Sequence, residues 1–173
     1  SSQGVISLFL RNSPFVSTFV PTHVSHTWVT RDHPIIAAGL LGTREARWAS
    51  LAGRARTAVR KARNFGLKAS LQVARVEELT QGGEFRDLYD NTMARLGATT
   101  AYRFEDSYYI ALQDGLRDNL LMCAVKSPKG ETVAACLLMR HQNKLHYHLS
   151  CSSADGRQQG ANALMLWEVI TVG

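Results

Sequence analysis

The chain has 173 residues, 45% of them hydrophobic, and a formal net charge of +6 from 20 basic and 14 acidic residues. That length supports one domain with a proper core, and no apolar run is long enough to span a bilayer. Cys123, Cys136 and Cys151 sit in apolar strand-like runs without C-x-x-C spacing, which reads as buried reduced thiols rather than a disulfide framework. The basic excess permits an anionic partner without requiring one.

Residues 1–36 hold two strand-like runs, "GVISLFLR" and "SHTWVTRD", joined by a Pro-containing connection. The pattern over residues 44–66 is helical. Thr43 suits an N-cap and Gly66 a C-terminal stop, and Trp48, Leu51, Ala52, Ala55, Val59 and Ala62 recur as one apolar stripe. Between Arg44 and Lys68 stand Arg44, Arg47, Arg54, Arg56, Arg60, Lys61, Arg63 and Lys68 against a single acid, Glu45. Like charges three or four residues apart repel by about 0.2–0.5 kcal/mol per pair. A solvated helix back is the plain reading. An anion lying against Arg56, Arg60 and Arg63 is the functional one, because guanidinium forks bind phosphate oxygens bidentately.

"LKASLQVA", residues 67–74, alternates as a strand does. Residues 84–97 read as a helix with Phe85, Leu88, Tyr89, Met93 and Leu96 on its apolar side and Gly97 as its stop. Residues 105–118 form a second helix, opened by Tyr108 and Tyr109, one of which is expected to pack and the other to reach a cleft. Three strands follow, "NLLMCAVK", "ETVAACLLMRH" and "KLHYHLSCS", and their short links "SPKG" and "HQNK" imply an antiparallel meander. Strict alternation puts Lys144, His146, His148 and Ser150 on one face of the last strand. An Arg157-x-x-Gly160 turn then opens onto a helix from Gln158 onward. A glycine at a helix N-terminus is a shape that can hold phosphate. The pattern predicts an α/β (α+β) fold, a mixed sheet with a central antiparallel meander and flanking helices.

That element order, with that turn, resembles the GNAT acyltransferase fold. The family's cofactor motif is Arg/Gln-x-x-Gly-x-Gly/Ala. Arg157, Gly160 and Asn162 stand at its three positions, and Asn162 departs from the small residue usual there. The longer phrases "RTAVRKARNFGLKA", "LYDNTMARLGA", "YRFEDSYYIAL" and "KLHYHLSCSSADGRQQGANALMLWE" resemble the Fem-type peptidoglycan-bridge aminoacyltransferases and the acetyltransferase-like proteins grouped with them. The resemblance covers residues 44–173, and residues 1–43 more loosely.

The resemblance implies that 1–43 are the tail of a preceding GNAT-like half or N-terminal strands. It makes 44–66 a basic linking helix and 67–173 a GNAT-like domain that stops after its third helix, as a fragment would. It implies an N-acyltransferase that moves an aminoacyl group from charged tRNA to an amine of a nucleotide- or lipid-linked peptidoglycan precursor. Such an enzyme is cytoplasmic, touches the inner membrane surface peripherally and holds no resident cofactor. Acetyl-CoA is the donor in the alternative, and a non-catalytic module binding anionic precursor is the alternative of another class. No Ser-His-Asp or Cys-His set stands out, so direct transfer is expected. Tyr108, His146 and His148 are the candidates to position the amine or relay its proton, although both histidines read equally as hydrogen-bonded strand residues. Arg56, Arg60, Lys61, Arg63, Arg157, Gly160 and Asn162 are the candidates for phosphate. No third residue has the spacing to complete a metal site with the two histidines.

Overall fold

The structure, a computed structural model, describes residues 38–39 and 42–172, so the two strand-like runs read within residues 1–36 lie outside the described residues. The chain divides after Gly39, and the fold below is that of the second unit. Its helices are α1 (Arg44–Ser50), α2 (Gly53–Asn64), α3 (Val76–Leu79), α4 (Glu84–Arg95), α5 (Asp106–Leu116), α6 (Ala154–Gln159) and α7 (Ala161–Val172). Its strands are β1 (Lys68–Val73), β2 (Leu120–Lys126), β3 (Thr132–His141) and β4 (Lys144–Ser152).

The strands form one sheet in the order β1-β2-β3-β4, antiparallel throughout, so the expected meander of the last three strands is present. Its links follow from their residues. Pro128 sits inside the turn closed by Gly130 N–H to the Ser127 carbonyl at 2.9 Å, and Gln142 takes a left-handed φ of 52° between β3 and β4. β2 and β3 are covered on both faces, which is why they read as continuous apolar runs rather than alternating ones. One face packs Cys123, Val125, Cys136 and Leu138 against Val59 and Ala62 of α2 and Leu164, Met165 and Trp167 of α7. The other packs Leu120, Met122, Ala135 and Leu137 against Leu79, Phe85, Tyr89 and Tyr109 of α3, α4 and α5. All three cysteines are buried and free.

Where the pattern reads one helix over 44–66, the chain makes two. Leu51 and Ala52 are extended, at ψ 141° and 144°. The break is satisfied locally: Arg56 donates to the carbonyls of Ala49 at 2.9 Å and Leu51 at 2.8 Å, which the last turn of α1 leaves without helical donors. The two ends behave as expected, with Thr43 Oγ accepting from Ala46 N–H at 3.2 Å and Gly66 turning the chain at φ 75°. The corner lets Trp48 of α1 meet Trp167 of α7 edge-on, with ring centroids 4.9 Å apart.

Two more departures bear on function. Leu96, read as part of the apolar side of α4, is 61% exposed, whereas Thr92 is buried. β4 does not alternate evenly either. Leu137 pairs with Leu149 and Leu138 with Tyr147, so His148 is an extra residue in a bulge. Ser150 therefore faces the opposite side from His146. Its partner Cys136 belongs to the α2/α7 cluster, and Met139, opposite His146, belongs to the α4/α5 cluster.

Candidate active site

Tyr108 lies in the first turn of α5 and His148 in the bulge of β4, and Tyr108 Oη is 2.5 Å from His148 Nε2. Of the two tyrosines, Tyr109 is fully buried while Tyr108 is partly buried and faces the histidine. Phe104 stacks on Tyr108 at 4.2 Å between centroids, and Tyr109 meets the Tyr108 ring edge-on. His148 keeps the side of His146, the α4/α5 face where Tyr108 lies, and the bulge brings Leu149 to that same face while Ser150 turns to the other. The His146 ring lies 6.3 Å from that of His148 and is exposed. Burial, and then the His146 charge, push His148 below the ordinary histidine range. Burial pushes the Tyr108 phenol above its ordinary value. Both shifts favour the neutral forms near pH 7, and the direction of the hydrogen bond follows the imidazole tautomer: the phenol donates when the ring proton is on Nδ1 and accepts when it is on Nε2.

The pair is held from behind by residues the pattern did not single out. Arg86 of α4 bridges Asp90 through Nε at 2.8 Å and Asp106, the first residue of α5, through a terminal nitrogen at 2.5 Å. Its guanidinium also lies 5.4 Å over the Tyr109 ring, and Asp106 accepts from Gln81 N–H at 3.2 Å. These contacts fix the start of α5, and with it Tyr108. At the far end of α4, Arg95 donates to the Ser152 carbonyl at 2.8 Å, tying the helix to the end of β4. The Arg86–Asp90 spacing, four residues apart on a helix, was the available signal; the long-range partner Asp106 left none.

An open cavity of about 330 Å³ adjoins the pair, lined by Tyr89, Met93, Leu96, Ala98, Tyr102, His148, Leu149 and Ser150. Burial pushes the Tyr89 phenol up to about 12, so it too stays protonated. Among the described residues no three His, Cys, Asp or Glu side chains converge as a metal would need.

The Arg157-x-x-Gly160 segment runs from α6 to its left-handed C-cap. Arg157 lies inside α6, which Ser153 caps by accepting from Gly156 N–H at 2.9 Å. Arg157 N–H goes to the Ser153 carbonyl at 3.1 Å and Gly160 N–H to the Arg157 carbonyl at 3.2 Å, so these amides are already used. The bare face of Gly160 is filled by protein: a Cβ there would stand 2.6 Å from the Ala58 carbonyl oxygen of α2, and φ is 87°. Asn162 turns inward, its amide 3.5 Å from Ser152 Oγ. Gly160 and the Asn162 side chain thus serve packing between α2, β4 and α7. Arg157 itself is exposed.

The basic helices also divide. Arg56 uses one terminal nitrogen for the two carbonyls at the end of α1. Arg60 and Arg63 lie over the Trp48 ring at 5.5 and 5.9 Å and, like Lys61, form no ion pair among the described residues. They belong to the α2/α7 face of the sheet, opposite the face that carries Tyr108 and His148.

Residues 50–172 match the family described as "Acetyltransferase (GNAT) domain". The crystal structure of FemX is similar to this chain with a TM-score of 0.61 at 17% identity, over 75% of this chain and 47% of that one. The chain thus spans about half the length of that protein. No curated protein matches it.

Proposed function

Because the chain belongs to the acetyltransferase (GNAT) domain family, we propose that it works as an N-acyltransferase whose donor is an aminoacyl ester of tRNA and whose acceptor is an amine of a peptidoglycan precursor. The observation that carries the acyl-transfer reading is the neutral Tyr108–His148 pair, 2.5 Å apart at the edge of an open cavity. The amine lone pair attacks the ester carbonyl, the C–N bond forms, and the C–O bond to the ribose breaks. The proton leaving the amine passes to Tyr108 Oη as the phenol gives its own to His148 Nε2, and the same route returns a proton to the departing oxygen. Ester and amine become amide and alcohol, with no net change in protons. Exposed His146, beside His148, meets the incoming amine.

The choice of an oxygen ester over a CoA thioester is supported by the filled space at Gly160 and by the Fem-type phrases of the sequence. A polyanion as long as tRNA also reconciles the cations of Arg60, Lys61 and Arg63 with a reacting pair on the other face of the sheet. Among the described residues no helix is long and apolar enough to cross a membrane. The reading places the reaction in the cytoplasm, and at the inner membrane surface when the precursor is lipid-linked.

The test is a mass measurement on a nucleotide-linked muropeptide incubated with the protein and either aminoacyl-tRNA or acetyl-CoA. The reading predicts addition of an amino-acid residue with the first and no change with the second. An acetyl adduct would instead make this a CoA-dependent N-acetyltransferase, and precursor binding without transfer from either donor would make it a binding module.

A further inference from the structure

The cavity beside His148 has a character that acyl transfer as such does not require. Its walls are Tyr89 and Met93 from α4, Leu96 and Tyr102 from the segment after it, and Leu149 beside the histidine. None of these side chains carries a charge. The nearby ions are committed elsewhere, Arg86 to Asp90 and Asp106, and Arg95 to the Ser152 carbonyl. A cation or carboxylate entering this space would lose hydration and find no counter-charge, whereas an apolar group would gain contact with Met93, Leu96 and Leu149. The volume, about 330 Å³, is far larger than a methyl group needs.

We propose that this cavity receives the side chain of the transferred acyl group and selects one that is uncharged and bulky, branched aliphatic or aromatic, with Met93 setting its depth and Leu96 the polarity of its mouth. The inference rests on the acyl-transfer reading of the same site. An acyl carbon placed at the Tyr108–His148 pair has its α-carbon at the rim, so the side chain points inward. The α-ammonium stays at the open rim, in contact with water. Leu96, 61% exposed at the end of α4, is the residue that evenly spaced helical packing would bury and this structure leaves at the mouth.

The experiment uses one tRNA acylated in turn with leucine, phenylalanine, glycine, lysine or glutamate, and compares kcat/KM for transfer to the muropeptide. Wild type is expected to favour leucine or phenylalanine over lysine and glutamate by at least about 100-fold, in line with sites that leave a polar group unpaired. Leu96→Lys, an exposed change that leaves the core intact, should raise glutamate relative to leucine by about tenfold. Met93→Trp should lower phenylalanine relative to glycine by a similar factor. Lysine or glutamate transferred as fast as leucine, or ratios unmoved by Leu96→Lys, would overturn the inference. If no donor is used at all, the acyl-transfer reading fails by itself, and the pocket is judged by NMR titration with N-acetyl-phenylalaninamide against N-acetyl-lysinamide. Shifts of the Met93 methyl and His148 ring signals with the first probe alone support an apolar pocket; equal shifts or none refute it.

Discussion

The two faces of the sheet use the same strands for different ends. On the α2/α7 face, the motif is packed against protein, and the open space lies outside it, a cavity of about 510 Å³ lined by Thr57, Arg60, Lys61, Asn64 and Phe65. Gly160 meets the Ala58 carbonyl, Arg56 serves the carbonyls at the end of α1, and Trp48 and Trp167 pack edge to face. On the α4/α5 face, His148 meets Tyr108 at a bulge of β4, and the aromatic residues beside them border a cavity. The first face carries a sequence motif whose glycine packs against α2; the second sets a tyrosine and a histidine beside a cavity without a motif. A short motif reports which residues are present, while function depends also on what else occupies the volume around them.

Breaking each face should therefore have a different consequence. The largest effect is expected from His148→Ala, which should lower kcat for transfer by about 10²- to 10⁴-fold while leaving thermal unfolding close to wild type, measured by steady-state rates beside a melting curve. Trp167→Ala on the other face should do the reverse. Its side chain is buried against Trp48, and its loss should cost about 3–5 kcal/mol of stability by denaturant titration, with kcat preserved in the fraction that stays folded. Gly160→Ala should destabilise by about 1–3 kcal/mol, because its Cβ clashes with a backbone oxygen and its φ is left-handed. A site that bound CoA through Gly160 would show in the same variant as a change in acetyl-CoA affinity, and none is expected. The smallest effect is expected from replacing Arg60 and Arg63 by Gln. Each loses a contact with the Trp48 ring worth about 0.5–1 kcal/mol at an exposed site. tRNA affinity should fall, and its salt dependence should flatten by the charges removed. An unchanged salt slope would return these arginines to simple helix packing.

Much of this architecture is legible in the sequence, for reasons that lie in particular residues. β2 and β3 show themselves as unbroken apolar runs because both their faces are covered, and Pro128 and Gly130 mark the turn between them. Tyr108 and His148 are legible as candidates but not as a pair. They are 40 residues apart, and "HYHLS" alternates so evenly that nothing in it announces the bulge. The break between α1 and α2 is hidden because Arg56, which satisfies it, looks like one more cation in a basic run. Arg86 and Asp106 hold the site from α4 and α5, and their link exists only once the two helices pack together.

The claim on which the rest depends is that His148 is neutral and accepts a hydrogen bond from Tyr108. A group held neutral by folding has a folded pKa below its unfolded one. Its contribution to stability is then complete above the ordinary value near 6.5, and is lost as pH falls through that value toward the folded pKa. The direct measurement is an NMR pH titration of the His148 ring in protein labelled with ¹⁵N-histidine. The account predicts a midpoint below 6.5, with the proton of the neutral ring on Nδ1 and Nε2 bare. A midpoint at or above 6.5, or a neutral ring protonated at Nε2, would contradict it.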